Sequence, residues 1–274
     1  MMRETRKKEI RKKSEEFRGK CKVSRYGIID LFKECERLGY YKLLRYPLGE
    51  DADMGFVLKK DNDTIIFTNT SSRLAREIFT LAHEIGHAVL HLENVYSFVD
   101  NAKTIAGSTD EKEQEANYFA VCLLMPEDEV AKFLDLEIAD FSNQGLSAID
   151  IARIMSEFSV SFETVLNRLE SLGKINNGEK LRLDNQKNQM RVGNLLKRVG
   201  GNSRLNEASN DIEIPHEYLE YVIYNYNRNA IPEETLENVL AYYQISREDI
   251  SDKLISRTDD DDDDFDELIG GLAD

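Results

Sequence analysis

The sequence has no tryptophan, only four prolines and only three cysteines among its 274 residues. The cysteines are odd in number and far apart, which argues against a disulfide framework and favours reduced thiols in the cytoplasm. The longest apolar run, Tyr118 to Met125, has eight residues, far short of the roughly 18 that a membrane-spanning helix needs. The N-terminal stretch is charged and lacks the apolar core of a signal peptide. We therefore expect a cytoplasmic protein without a membrane partner.

A formal net charge of −16 argues against general affinity for nucleic acid. The charge is unevenly distributed, because nine acidic residues follow Arg257 and no lysine or arginine does. Residues 258–274 are therefore predicted to form an acidic, disordered tail. Residues 1–24 are predicted to be a basic N-terminal segment, a frayed helix or tail, since the first 20 residues hold nine Lys or Arg against four Glu.

Three of the four histidines lie within nine residues, in the segment from Arg76 to His91. Apolar residues recur there at steps of three and four, which predicts an amphipathic helix. His83 and His87 would stand one turn apart on one face, where two neutral imidazoles can bind one Zn²⁺. Glu84 between them has the position of the general base in His-Glu-x-x-His zinc peptidases. His91 lies about 12 Å along the axis from His83, so we interpret it as a hydrogen-bonding residue and not as a ligand.

The remaining metal ligand has to come from another part of the chain. The next predicted helix begins near Glu111 and ends before Pro126. Glu115 borders its apolar face and is the predicted third ligand, with Glu111, one turn earlier, as the competitor. In a third interpretation both glutamates are solvated helix charges. Gly86, inside the histidine helix, costs about 1 kcal/mol relative to alanine, which predicts that another segment packs closely against it.

Three segments together resemble the ImmA/IrrE family of bacterial and phage metallopeptidases: Arg76 to His91, Glu115 to Ala120, and Leu123 to Pro126. In that family the two histidines and the glutamate of the Glu-Ala-Asn segment bind zinc, and the glutamate between the histidines is the catalytic base. The resemblance therefore implies zinc ligation by His83, His87 and Glu115, with Glu84 as the catalytic residue.

The resemblance also implies a substrate, because characterised members of the family cut helix-turn-helix repressors of the Xre type. We predict a zinc metallopeptidase that cleaves a separately encoded Xre-type repressor and so derepresses mobile-element or stress genes. One alternative is a zinc-dependent regulatory protein that sequesters a repressor without cutting it. A second alternative is a DNA-binding regulator that uses residues 146–172 and the basic stretch 174–204.

The predicted fold class is α+β, a minimal zincin-like metallopeptidase domain followed by a mainly helical C-terminal region. A short strand at 40–44 and a β-hairpin at 55–68 precede the histidine helix. The predicted divisions after the basic segment are a peptidase domain (25–135), a helix-turn-helix-like module (136–173), a linker (174–205) and a small helical domain (206–257). The second helix of the module carries few basic residues, which favours packing or protein docking over base readout.

Overall fold

The computed structural model describes residues 2–49, 52, 54–60, 63–92, 97–100, 111–138, 145–215 and 217–255. The chain divides into two compact units, Met1–Ile214 and Pro215–Asp274. None of the helices in the described ranges is both long and apolar enough to cross a bilayer. The predicted acidic tail, residues 258–274, lies outside the described residues.

The first unit has an α+β architecture, in which helices precede and follow the strands of a small sheet. Its elements in chain order are α1 (Glu4–Arg18), α2 (Leu31–Leu38), β1 (Lys42–Tyr46), β2 (Gly55–Lys60), β3 (Asp63–Asn69), α3 (Leu74–Leu90), β4 (Ser97–Asp100), α4 (Glu111–Leu124), α5 (Glu127–Glu137), α6 (Ala148–Phe158), α7 (Phe162–Ser171), α8 (Asn177–Met190), α9 (Val192–Arg198) and a 3₁₀ turn (Ser203–Asn206). The predicted fold class is therefore confirmed.

The four strands form one sheet in the order β1-β3-β2-β4. β2 and β3 are the predicted hairpin, with Val57 opposite Ile66. β1 runs parallel to β3 and places Leu43 opposite the same Ile66. All three of these side chains are buried, so the centre of the sheet contributes directly to the core beneath the histidine helix.

Helix α3 contains the histidine motif. It is more deeply buried than the predicted amphipathic helix, whose polar face would be exposed to solvent. Every residue from Leu81 to His87 is buried. The polar side is covered as well as the apolar side, because α3 packs against β2 and β3 and also against α4. The motif therefore lies in the interior of the unit, where ionisable side chains need partners or a bound ion.

Helix α1 differs from the frayed basic segment predicted for residues 1–24. Ile10 is fully buried and Phe17 is 5% exposed, and α1 packs along α4. The two apolar side chains lie seven positions apart, about two helical turns, on one face of a helix whose other positions are mostly charged. Two buried apolar residues on a mostly charged helix give only a weak helical periodicity of hydrophobic residues. This weak signal explains why the segment was predicted to fray.

Helices α6 and α7 form the predicted helix-turn-helix-like pair. Ser159 ends α6 in the left-handed conformation with φ of 54°. The Ser161 hydroxyl accepts from the Thr164 N–H, so Ser161 is the N-cap of α7. Arg168 of α7 is 5% exposed and its Nε donates to the Met125 carbonyl at 2.9 Å. This contact fixes α7 to the end of α4, as the packing interpretation of the module predicts.

The linker predicted for residues 174–205 is instead occupied by α8, α9 and the 3₁₀ turn, and this prediction was wrong. Asn176 and Glu179 form a capping box that starts α8. Leu183, Leu195 and Leu196 are fully buried in the same core as the rest of the unit. Leu183 is the one buried residue described for α8, so the helix has no apolar stripe for sequence periodicity to detect.

The second unit is a small helical cluster with its own core. Its described elements are α10 (Glu217–Tyr226), α11 (Glu233–Tyr243) and a 3₁₀ segment (Glu248–Lys253). The buried residues are Val222, Ile223, Tyr226, Leu236, Val239, Leu240 and Ile250. Both helices lie within residues 206–257, the range predicted as a small helical domain.

Candidate metal centre

The two histidines of the motif face each other across one turn of α3. The Nε2 atoms of His83 and His87 are 3.0 Å apart, and both side chains are fully buried. The spacing of four residues places them on the same side of the helix, as the sequence predicts.

A carboxylate from α4 completes a group of three donors. Glu113 Oε2 lies 3.3 Å from His83 Nε2 and Glu113 Oε1 lies 3.2 Å from His87 Nε2. Ligand atoms at about 2.0–2.1 Å from a tetrahedral zinc ion are themselves about 3.3 Å apart. The donor set, two imidazoles and one carboxylate, and its spacing therefore fit a metal ion.

Glu115, the predicted third ligand, lies elsewhere, and so does its competitor Glu111, which is exposed at the start of α4. Glu115 accepts two hydrogen bonds from Arg6 of α1, at 2.7 and 2.5 Å. Successive residues are about 100° apart around a helix, so Glu113 and Glu115 point in nearly opposite directions. The structure thus brings Glu113 to the histidines, where sequence reasoning expected Glu115.

The close approach of α3 and α4 explains how Glu113 reaches the histidines. A Cβ added at Gly86 would lie 3.1 Å from both Cα and O of Ala116, which confirms the close packing predicted for this glycine. Ala116 is one turn after Glu113, and Ala120 continues the same line of small residues. This line of small residues opposite Gly86 is the sequence signal that could have identified the face of α4 nearest the histidines.

The Nδ1 atoms of His83 and His87, which point away from Glu113, each have a hydrogen-bond partner. Their Nε2 atoms, which face Glu113, are the ones available to a metal. Asn117, one turn after Glu113, accepts from His83 Nδ1 through Oδ1 at 3.1 Å. A neutral imidazole that donates from Nδ1 carries its lone pair on Nε2. The Asn117 contact therefore holds His83 in the tautomer that can bind a metal ion.

His91 connects His87 to Glu115. Its Nε2 lies 3.0 Å from Glu115 Oε2, and its Nδ1 lies 3.0 Å from His87 Nδ1. The Arg6 guanidinium lowers the pKa of Glu115, so that carboxylate accepts and His91 Nε2 donates. Burial lowers the pKa of His91. An imidazole that donates from Nε2 carries its lone pair on Nδ1, so His91 Nδ1 can accept from His87 Nδ1–H. His87 Nε2 is thereby left with its lone pair.

Glu84, the predicted catalytic residue, is fully buried beside the histidines. The start of β2 makes room for it, because a Cβ added at Gly55 would lie 3.0 Å from Glu84 Oε1 and 2.5 Å from Thr80 Cγ2. A larger residue at position 55 would displace the carboxylate or the helix that carries it. Because Gly55 has no side chain, the start of β2 leaves the space that the Glu84 carboxylate occupies.

Comparison with known proteins agrees with this geometry. Residues 35–170 match the family model Peptidase_M78, described as the IrrE N-terminal-like domain. This chain belongs to the ImmA/IrrE family. A curated relative, the "Uncharacterized immunity region protein 2" of Bacillus phage phi105, is 34% identical over 84 residues, which are 31% of this chain and 52% of the relative. The chain thus spans about half the length of that relative.

The ImmA/IrrE match supports a metallopeptidase-type enzyme, and it covers the elements that build the centre. Residues 35–170 include β1 to β4, α3 and α4. Helix α1, which contributes Arg6, precedes the matched range. The contact of Arg6 with Glu115 therefore adds to the family domain a residue from outside it.

Proposed function

We propose that this protein is a zinc-dependent endopeptidase in which His83, His87 and Glu113 bind the metal and Glu84 is the general base. The observation that carries the proposal is the group of three buried donors, spaced as ligands of one ion, beside a buried glutamate. Two histidines and a glutamate are a donor set that catalytic zinc sites use, with the fourth position left for water or substrate.

A zinc ion held by these residues would lower the pKa of a water toward about 7 and polarise a peptide carbonyl. Glu84 accepts the proton of the attacking water and then delivers it to the leaving amine. Asn117 and His91 keep the two histidines in the required tautomers. Burial of the centre strengthens these electrostatic interactions, because charges interact more strongly away from bulk water.

The proposed substrate is a helix-turn-helix repressor of the Xre type, supplied as a separate chain. The name of the phage relative assigns that protein to an immunity region, a setting in which a repressor is a suitable target. We place the reaction in the cytoplasm, where the three cysteines, all free, would stay reduced.

The test compares purified wild type with His83→Ala, Glu84→Gln and a matched control, Glu163→Gln, which changes an exposed glutamate on α7. Zinc per chain is measured by elemental analysis, and cleavage of the repressor encoded beside the protein is followed by mass spectrometry. We expect one zinc in wild type and Glu84→Gln, and none in His83→Ala. Turnover should fall by about 10²–10⁴-fold in Glu84→Gln, the usual contribution of general acid–base catalysis.

Three outcomes would contradict the proposal. A wild-type protein that binds no zinc would remove the metal chemistry altogether. A Glu84→Gln protein that cleaves as fast as Glu163→Gln would exclude Glu84 as the base. Binding of the repressor without cleavage, equal in wild type and Glu84→Gln, would instead identify a sequestering protein.

A further inference from the structure

Helix α1 reaches the metal centre through one arginine. Arg6 Nε donates to Glu115 Oε1 at 2.7 Å and Arg6 Nη2 donates to Glu115 Oε2 at 2.5 Å. This paired arrangement fixes the plane of the carboxylate as well as its position. Arg6 Nη1 also pairs with Glu9 at 2.9 Å, so the guanidinium is held from two sides.

The orientation of Glu115 matters because of what its Oε2 touches. That oxygen lies 3.0 Å from His91 Nε2, and His91 Nδ1 lies 3.0 Å from His87 Nδ1. A rotation of the carboxylate would release the His91 ring and, with it, the partner of His87. Contacts of this kind orient metal-binding histidines, and their loss typically weakens metal affinity by about 10–100-fold.

Arg6 is carried on a helix that the core holds firmly. Ile10 is fully buried, and Arg18 Nη1 donates to the Leu123 carbonyl of α4 at 3.0 Å. Helix α1 is therefore anchored to α4 on the C-terminal side of Arg6. The guanidinium has a fixed base from which to hold Glu115.

We propose that Arg6 is a positioning residue of the metal centre, acting through Glu115 and His91 to hold His87 in its metal-binding orientation. The inference rests on the proposed zinc site, which it extends to a helix that precedes the family domain. The rival interpretation is that the Arg6–Glu115 pair only attaches α1 to α4. The two interpretations differ in whether zinc affinity, and not stability alone, depends on Arg6.

The experiment measures the zinc dissociation constant by competition with a chromophoric chelator, and the unfolding midpoint of the zinc-free protein. Arg6→Gln is compared with Arg11→Gln, a matched control on the same helix. Arg11 faces Glu127 of α5, 3.6 Å away, and Tyr118 of α4, and not Glu115. We expect Arg6→Gln to weaken zinc binding by about 10-fold, within the range for outer partners of metal ligands, and Arg11→Gln to leave it unchanged.

A double-mutant cycle with His91→Ala tests the proposed path. If Arg6 acts through His91, then Arg6→Gln should have no further effect on zinc affinity in the His91→Ala background. Wild-type affinity in Arg6→Gln, or an equal effect of Arg6→Gln in both backgrounds, would overturn the inference while leaving the zinc site intact. Absence of zinc from the wild type would overturn the proposed function itself.

Discussion

The two sides of α4 carry buried glutamates only two residues apart, yet their surroundings differ completely. Glu113 faces two imidazoles of α3 across a line of small residues. Glu115 faces the Arg6 guanidinium of α1 and Nε2 of His91. A carboxylate paired with arginine already has its charge compensated, whereas one buried against two imidazoles would be stabilised by a cation bound between them. On this comparison we propose Glu113 as the metal ligand and Glu115 as the residue that supports the histidines from outside.

The largest effect on zinc affinity should appear when glutamine replaces Glu113 and, in a separate variant, Glu115. Glu113→Gln replaces a charged ligand by a weak neutral one, so zinc affinity should fall by more than the about 10–100-fold typical of outer partners. Glu115→Gln should stay within that range, because its amide oxygen can still accept from His91. Both are measured by chelator competition. If Glu115→Gln were the more damaging change, the assignment of the two sides would have to be reversed.

A smaller loss of zinc affinity is expected when Asn117, on the Glu113 side of α4, is replaced. Asn117→Ala removes the acceptor of His83 Nδ1 and frees the ring to turn or change tautomer. Zinc affinity should fall by about 10-fold, at the lower end of the range for such partners. Asn167→Ala, at an exposed position of α7, is the control. Equal zinc affinity in the two variants would mean that the Asn117 contact does not orient His83.

The contrast between the two glutamates also explains what sequence could and could not predict. The spacing of His83 and His87 was sufficient to predict that two of the three donors lie together, since residues four apart on a helix share a face. The choice among the glutamates of α4 depended on knowing which side of that helix meets α3. Buried residues occur all round α4, among them Glu113, Glu115, Cys122 and Leu123, so apolar periodicity could not identify the side.

The same limit applies to the fold. The hairpin of β2 and β3 was predictable because two apolar runs flank a turn-forming triplet. The packing of helix α1 into the core and the existence of helix α8 were missed, because each helix enters the core through few side chains, such as Ile10 and Leu183. For these helices burial is set by neighbours that are distant in sequence, and Arg6 with Glu115, 109 positions apart, is a pairing that no local pattern reveals.

The smallest effect is expected from Gly86→Ala. This variant is the most direct test of the close packing between α3 and the Glu113 side of α4. The added methyl gains about 1 kcal/mol of helix propensity but meets backbone atoms of Ala116 at 3.1 Å, and overpacking costs about 1–3 kcal/mol. The net loss in free energy of unfolding should be about 0–2 kcal/mol by urea denaturation.

Gly193→Ala is the control, because its added Cβ would meet only Asn206 Nδ2 at 3.9 Å, so α9 should be unchanged or slightly stabilised. Zinc affinity decides what the Gly86 contact does. If α4 moves away from α3 to admit the methyl, then Glu113 moves away from the histidines, and affinity falls in Gly86→Ala but not in Gly193→Ala. A stabilised Gly86→Ala with unchanged affinity would show that the glycine is not what brings Glu113 to the metal.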